Sequence, residues 1–348
     1  MTSDSGSGRS HDLTSDSGSG GSHDLTSDSG SGGSRAATVG TVVWDLAAVP
    51  PRPSAVSIGF FDGVHLGHRA IVGRALDHAV TNGLRSVVVT FDRHPLQIVR
   101  PDKVPPLLMT TPRRAQALAD IGPDVVVVLP FDEHLRMMSA ETFIAQVLRS
   151  ALDARHVVVG RNFHFGHRAA GDVDLLAGVG AHDGFTVDGV ELLAVGGEPV
   201  SSTRIREALG RGAVDEAIRL LGRPFVIDGT IVHGDHRGRG LGYPTANLAV
   251  DDGVVVPAPG VYAGVVEHPD GRRLPAVTSI GTNPTFNGAG LRVETFVLDF
   301  DEDLYGLQVA VDLRRFLRGQ RRFADVDELI TAMSDDVLQA RRALTDVG

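Results

Sequence analysis

The chain has no cysteine in its 348 residues. That excludes disulfides, thiolate metal sites and a cysteine nucleophile, and it suits a reducing compartment. No apolar run approaches membrane-spanning length, and no apolar segment near Met1 has the form of a signal peptide. A cytoplasmic protein without a membrane partner is therefore expected. No lysine-bearing P-loop occurs, which excludes phosphate handling of the Walker type. Net positive charge is lacking too. A formal charge of −10 argues against a nucleic-acid partner but leaves small anionic substrates open, because a local basic pocket can sit on an acidic protein. At 42% hydrophobic residues, a chain this long can fill two cores, and two folded units are expected.

The opening residues repeat TSDSGSGRSHDL, TSDSGSGGSHDL and TSDSGSGGS. Ser, Gly, Asp and Thr bury too little apolar surface to offset chain entropy, so residues 1–36 are expected to be a disordered low-complexity tail. Short Val-rich runs follow at 55–61, 86–91, 125–129 and 156–160. Such runs read as strands buried on both faces. Between them, 68–81 (Ile71, Val72, Ala75, Leu76, Ala79, Val80) and 139–152 carry helical apolar faces. This alternation predicts an α/β domain over 37–222, a parallel sheet with flanking helices. After two short helical segments in 204–221 the texture changes. FVIDGTIVHG, GVYAGVVEH, LPAVTSIGT, RVETFVLDF and LQVAVDLRRFL are strands separated by turn residues. They predict an antiparallel β-barrel domain over 223–348. A terminal helix is expected from Asp325, with Val326, Leu329, Ile330, Met333, Val337 and Ala340 on its face and Asp325 with Glu328 as a capping pair.

The first chemical motif is GFFDGVHLGHR, 59–69, where a strand becomes a helix. In open α/β sheets, ligands gather at the carboxyl ends of strands. A helix N-terminus offers unpaired N–H groups and the positive end of the dipole. Gly67 lets the backbone approach closely, and His65 and His68 could hydrogen-bond a polyphosphate and stabilise charge on a leaving pyrophosphate. Read alone, the pair equally suits surface or core histidines, or a metal pair. A second helix start lies in VSSTRIREAL, where Ser201, Ser202 and Thr203 precede Arg206. Hydroxyls and a guanidinium there suit phosphate, and plain N-capping is compatible with that role. TFDRHP ends one strand and VGRNFHFGHRAAGD another, with Phe163 and Phe165 alternating with Asn162 and His164. Exposed aromatics at a strand end can stack on a flat ring, or simply pack.

The barrel region opens with HGDHRGRGLGYPTANL, which has four glycines in nine residues. Its backbone amides can wrap a phosphate. Thr245 and Asn247, two apart on an extended segment, offer hard oxygens suited to Mg²⁺. Glu294 stands within the apolar strand RVETFVLDF, where a carboxylate could take a proton from a hydroxyl. A Glu on the solvent face of an antiparallel strand is the structural alternative.

These strings resemble known signatures. Strand, G-x-F-D-G-x-H-x-G-H and helix resemble the nucleotidylyltransferase superfamily, whose HxGH motif holds the ATP triphosphate. With GRNFHFG and with G-x-x-x-R-G-x-L-G-[FY]-P-T-A-N-L, nearly all of 40–348 is similar to the prokaryotic bifunctional riboflavin kinase/FAD synthetase family. Two positions depart from its pattern: His164 stands where Arg is frequent, and Tyr243 where Phe is usual.

The resemblance implies a Rossmann-like FMN adenylyltransferase domain and a riboflavin kinase barrel, joining two ATP-dependent transfers. Riboflavin becomes FMN in the barrel, and FMN becomes FAD with release of pyrophosphate in the α/β domain. Substrates would be riboflavin, FMN and ATP, with Mg²⁺ as cofactor. It implies that His65 and His68 are catalytic and that Gly59, Phe61, Asp62, Gly67, Ser201, Ser202, Thr203 and Arg206 complete the first ATP site. His94, Pro95, Asn162, Phe163 and Phe165 would contact flavin. In the kinase, Gly238, Gly240, Gly242, Thr245 and Asn247 would bind ATP, the last-named Thr and Asn holding the metal, with Glu294 as base. Asn283, Pro284, Thr285 and Arg314 would lie near the flavin and nucleotide. A single-activity member and a flavin-sensing regulator are the alternatives. An oligomer is left open.

Overall fold

The computed structural model describes residues 39–233, 242–282 and 291–345. The repeat tail expected over 1–36 lies outside these residues. The first half is a six-stranded sheet of β1 (Thr41–Val43), β2 (Ser54–Ile58), β3 (Arg85–Phe91), β4 (Val125–Leu129), β5 (Ala154–Gly160) and β6 (Thr186–Val190). Its order is β1-β4-β3-β2-β5-β6, and every neighbouring pair is parallel. Strands so placed need cover on both faces, and the Val-rich runs supply it. Val88 and Val126 join one core layer with Val72 and Leu118. Val87, Val89 and Val127, of opposite parity, join another with Phe143, Leu148 and Leu176.

The helices are α1 (Leu66–Asn82), α2 (Leu96–Val99), α3 (Thr111–Ala119), α4 (Glu133–Met137), α5 (Ala140–Phe143) and α6 (Val173–Asp183). Two sequence expectations need adjustment. Val80 is 65% exposed, because only Ala75 and Ala79 of that part of α1 turn fully inward. The helix expected over 139–152 begins as α5 and continues from Ile144 to Ala151 as a π-helix. A short hairpin, β7 (Ala194–Val195) and β8 (Glu198–Pro199), leads to α7 (Ser202–Gly210) and α8 (Val214–Leu221).

Connections from β2 run outward through β3 and β4, whereas β5 and β6 run the other way. The order therefore reverses between β2 and β5, and their carboxyl ends open the crevice where such sheets bind ligands.

The second half is a closed antiparallel barrel in the order β10-β13-β12-β11-β14-β9. Its strands are β9 (Phe225–Val232), β10 (Ala246–Val250), β11 (Gly260–Glu267), β12 (Arg273–Thr282), β13 (Leu291–Val297) and β14 (Gln308–Arg318). One apolar cluster joins Ile227, Leu248, Ile280, Val293 and Leu313 inside the barrel to Leu209 and Leu220 of α7 and α8. Leu108, from the α/β half, enters the same cluster.

The halves also meet through polar groups. Arg113 of α3 makes a two-pronged pair with Asp228 of β9, at 2.7 and 2.6 Å from its Nε. The Leu107 amide donates to the Gly253 carbonyl at 2.6 Å, and the Leu107 carbonyl accepts from Val255 at 2.8 Å.

Helix α9 (Val326–Thr345) closes the fold against β11, β12 and β14. The expected capping pair forms, with the Glu328 amide donating to Asp325 at 2.8 Å. Val326 is 55% exposed, however, and the deepest side chains of the helix are Ala332, Asp336 and Ala340. Asp336 is buried because Arg318 of β14 meets both its oxygens, at 2.8 and 2.7 Å. Removing one partner of a buried pair leaves the other charge uncompensated. Asp336→Ala should cost about 3 kcal/mol or more in urea unfolding. A loss under about 1 kcal/mol would mean that apolar contacts alone hold the helix.

Candidate active sites

Between β2 and α1 the chain turns sharply. Phe61, Gly63 and Val64 all have positive φ, at 56°, 83° and 41°. For Phe and a β-branched Val this is a strained conformation that the surroundings must enforce. The turn delivers His65 as the N-cap of α1, its Nδ1 accepting from the His68 amide at 3.3 Å. An accepting Nδ1 leaves the proton on Nε2. The His65 and His68 rings stack with centroids 3.5 Å apart. A side chain at position 67 would begin 3.2 Å from the His65 ring, so glycine suits the stack. Burial pushes His65 down to about 4 and His68 well below its ordinary value, with the neighbouring His65 and Arg114 adding to the effect on His68. Both are therefore neutral N–H donors at physiological pH.

These residues open into a cleft of about 480 Å³ at the strand-order reversal. Gly59, Phe61, Asp62, His65, Gly67, His68, His94, Asn162, Phe163, Ser201, Ser202, Thr203 and Arg206 all line it. Segments some 140 residues apart thus meet: the Ser202 hydroxyl donates to the Asp62 carbonyl at 2.9 Å. Ser201 caps α7 by accepting from the Arg204 amide.

Arg206 and Asp62 differ from the sequence picture of free phosphate ligands. Asp62 is 3% exposed, and its carboxylate accepts from the Leu108 amide at 3.0 and 3.1 Å. It also pairs with the Arg206 guanidinium, whose Nε donates to the Pro106 carbonyl at 2.6 Å. Burial pushes the Asp62 carboxyl up, while Arg206 and the Leu108 amide pull it back.

Pro95 and Phe165 are not among the residues lining the cleft. Pro95 precedes α2, and Phe165 packs on Phe143 and Phe163 in the sheet's core. His164 does line the cleft, its Nδ1 3.0 Å from the Asn162 carbonyl oxygen. Sequence reasoning missed Phe60 and Arg114. Phe60 lines the cleft with its ring 4.7 Å from that of His94. Fully buried Arg114 stacks on Phe60, 4.1 Å from its centroid. Nothing in the local pattern of α3 marks that contact.

In the barrel, Asn247 of β10 lies directly opposite Glu294 of β13, and Ser279 of β12 opposes Glu294 on its other side. Val293, Thr295 and Val297 point inward, so Glu294 stands on the outer face, half-buried. The structural alternative for Glu294, a residue on the outside of an antiparallel sheet, thus describes its placement without removing its chemistry. Gln320 reaches the Ser279 end of this row, donating to Ser279 Oγ at 3.0 Å. Asn247 also lines a cavity of about 560 Å³ with His233, Asp251 and Arg292. Thr245 and Gly242 lie just before β10, and Tyr243 sets its ring 5.4 Å from Phe296.

Gly238, Gly240, Asn283, Pro284 and Thr285 lie outside the described residues. Arg314 is placed elsewhere. In a six-stranded barrel of this order, β14 lies diametrically across from β13. Arg314 there meets Asp312 at 3.1 Å and lines a junction cavity of about 940 Å³. That cavity is larger than the cleft, but its Arg113, Arg273 and Arg314 are already paired with Asp228, Glu267 and Asp312. Among the described residues, no group of three or more His, Asp or Glu could hold a metal ion.

The buried imidazoles carry a consequence for stability. Burial pushes His65 and His94 down to about 4 and His68 well below its ordinary value, so the unfolded chain takes up their protons more readily than the folded one. Their contribution is fully present above about pH 6.5 and is lost as pH falls toward about 4. The thermal midpoint should fall across that window, and His68→Gln should flatten the fall. An unchanged slope in His68→Gln would remove His68 from this account.

Comparison with known proteins agrees with this division of the chain. Residues 48–204 match the model for FAD synthetase, and residues 221–344 match that for riboflavin kinase. A bifunctional riboflavin kinase/FMN adenylyltransferase from Pseudomonas fluorescens is 40% identical over 83% of this chain and 93% of its own. Its namesake from Escherichia coli K12 is 37% identical over 86% and 95%. A crystal structure of a macrolide-efflux protein from Streptococcus pneumoniae is 31% identical and superposes with a TM-score of 0.77, over 87% of this chain and 99% of that one. Efflux is said of that protein; among the described residues here, no helix is long and apolar enough to cross a membrane. Two family models matched in succession, and relatives matched over more than nine-tenths of their length, make this chain a member of the bifunctional riboflavin kinase/FMN adenylyltransferase family.

Proposed function

We propose that the chain converts riboflavin and ATP to FMN and ADP on the barrel, then FMN and ATP to FAD and pyrophosphate in the α/β cleft. The domains would divide at 222/223, and the enzyme would work in the cytoplasm on these small molecules. The observation that carries the reading is the meeting of HLGH and SST-x-x-R around one cleft at the strand-order reversal.

In the cleft, a phosphate oxygen of FMN attacks the α-phosphorus of ATP. The bond from that phosphorus to the bridging oxygen breaks, and pyrophosphate leaves. No side chain need act as nucleophile. His65 and His68, neutral and protonated on one nitrogen each, donate to the triphosphate beside the N-terminal amides of α1. Ser201, Ser202, Thr203 and Arg206 face the same phosphates from α7. Asn162, His94 and Phe163 orient the flavin, with Phe60 supplying a further ring.

In the barrel, Glu294 takes the proton of the ribityl hydroxyl as it attacks the γ-phosphorus of ATP. Thr245 and Asn247 present oxygens that fit Mg²⁺, which prefers hard donors and keeps several waters. Mg²⁺ when bound would neutralise phosphate charge. The opposition of Asn247 and Glu294 supports this arrangement, because it sets a metal ligand beside the base.

Separating riboflavin, FMN and FAD after incubation with Mg–ATP tests the whole reading. FAD should accumulate by way of FMN. If neither product forms, a flavin-binding regulator becomes the better reading. Glu294→Gln should lower FMN formation by about 10²-fold or more while FAD formation from supplied FMN persists. His68→Ala should do the converse, and unchanged FAD synthesis would discard the HLGH assignment.

A further inference from the structure

The Phe61–Val64 turn is strained, and strain of this kind persists only where neighbours over-determine it. Three neighbours have been described: Ser202 on the Asp62 carbonyl, Leu108 and Arg206 on its carboxylate. A fourth comes from outside both motifs. Arg223, two residues past the end of α8, reaches back 160 positions and donates from Nη2 to the Gly63 carbonyl at 2.8 Å. The residue before it is fitted just as closely. Gly222, at φ 71°, leaves no room for a side chain, because a Cβ would lie 2.5 Å from Leu66. The segment leading into the barrel therefore grips the turn on both sides of His65.

This placement works against the charge on Arg223. Burial pushes it down to about 10, helped by the nearby Arg113 and Arg69. Among the described residues no carboxylate pairs with it, since Asp228 is taken by Arg113. A guanidinium held in such surroundings, with its Nε buried and unbonded, is disfavoured unless its bonds to the Gly63 carbonyl at 2.8 Å and the Pro224 carbonyl at 3.1 Å compensate, and of these only the first reaches the turn.

We propose that Arg223 is a positioning residue for adenylyl transfer, holding through the Gly63 carbonyl the strained turn that presents His65 and His68. It touches no substrate. The inference rests on the reading of the cleft given above, and it makes adenylyl transfer dependent on the chain leading into the barrel, while kinase chemistry at the Asn247–Glu294 row does not depend on Arg223.

The test measures kcat and KM for both reactions in the full-length enzyme, with His68→Ala as reference. Arg223→Ala should lower kcat for FAD formation from supplied FMN by about tenfold or more, while FMN formation stays within about twofold. Arg223→Lys, which keeps a donor on a long stem, should recover part of that loss. Should Arg223→Ala fail to fold, Arg223→Gln gives the same comparison. Loss in His68→Ala with no change at Arg223 overturns the proposal alone. No change in either variant overturns the reading of the cleft as well. A parallel fall of both reactions and of the thermal midpoint in the Arg223 variants makes the residue a structural joint, and the proposal fails.

Discussion

A carboxylate at 3% exposure has to be fully bonded or it destabilises the fold, and the Asp62 carboxylate sets that requirement here. Its oxygens need the Leu108 amide and the Arg206 guanidinium together. Each of those groups comes from a different segment, and neither segment adjoins the turn in sequence. The HLGH turn, the Pro105–Leu108 stretch and α7 are thereby held in one arrangement, and the cleft is the space between them. Arg206 is at once a member of the site and a brace for it. On the proposed reading, a triphosphate reaching Arg206 would meet a guanidinium already oriented, so less side-chain entropy would be lost on binding.

The two halves are joined by more than a linker. Leu107 pairs by backbone with Gly253 and Val255, one residue from where Leu108 holds Asp62. The same 251–254 loop follows β10, which carries Asn247. Arg113 and Asp228 add a bidentate pair between α3 and β9. A single apolar cluster runs from α7 and α8 into the barrel, so the helix that begins at Ser202 packs on the barrel half. The lining of the α/β cleft comes wholly from the α/β half, but the segments behind it lean on the barrel.

On the proposed reading, the two sites would handle phosphate by different means. In the cleft, burial keeps the imidazoles neutral, so the positive potential comes from the α1 and α7 termini and from arginine. On the barrel, the row Asn247–Glu294–Ser279 lies on an outer face, where oxygen donors and water can share a metal ion. A parallel sheet concentrates its ligand groups at strand ends, whereas a closed barrel offers positions along its strands.

Much of this was legible in the sequence because its signals are local. The Val-rich runs needed no tertiary information to read as doubly covered strands. HLGH and SST-x-x-R were readable because helix starts advertise themselves within a few residues. The opposition of Asn247 and Glu294 was not legible, since strand register depends on partners about fifty residues away. The position of Arg314 was not legible for the same reason: only the strand order sets it across the barrel from β13. Val80 and Val326 looked like core on helical period alone, but they stand exposed at 65% and 55%. By itself the sequence determined the fold class, the two halves and most residues of the cleft, since periodicity and capping act over one or two turns. Only the tertiary structure decided the protonation state of the histidines, the bracing of Arg206 by Asp62 and the reach of Arg223 to Gly63. Burial and long-range hydrogen bonds are properties of packed segments, and no stretch of chain carries them alone.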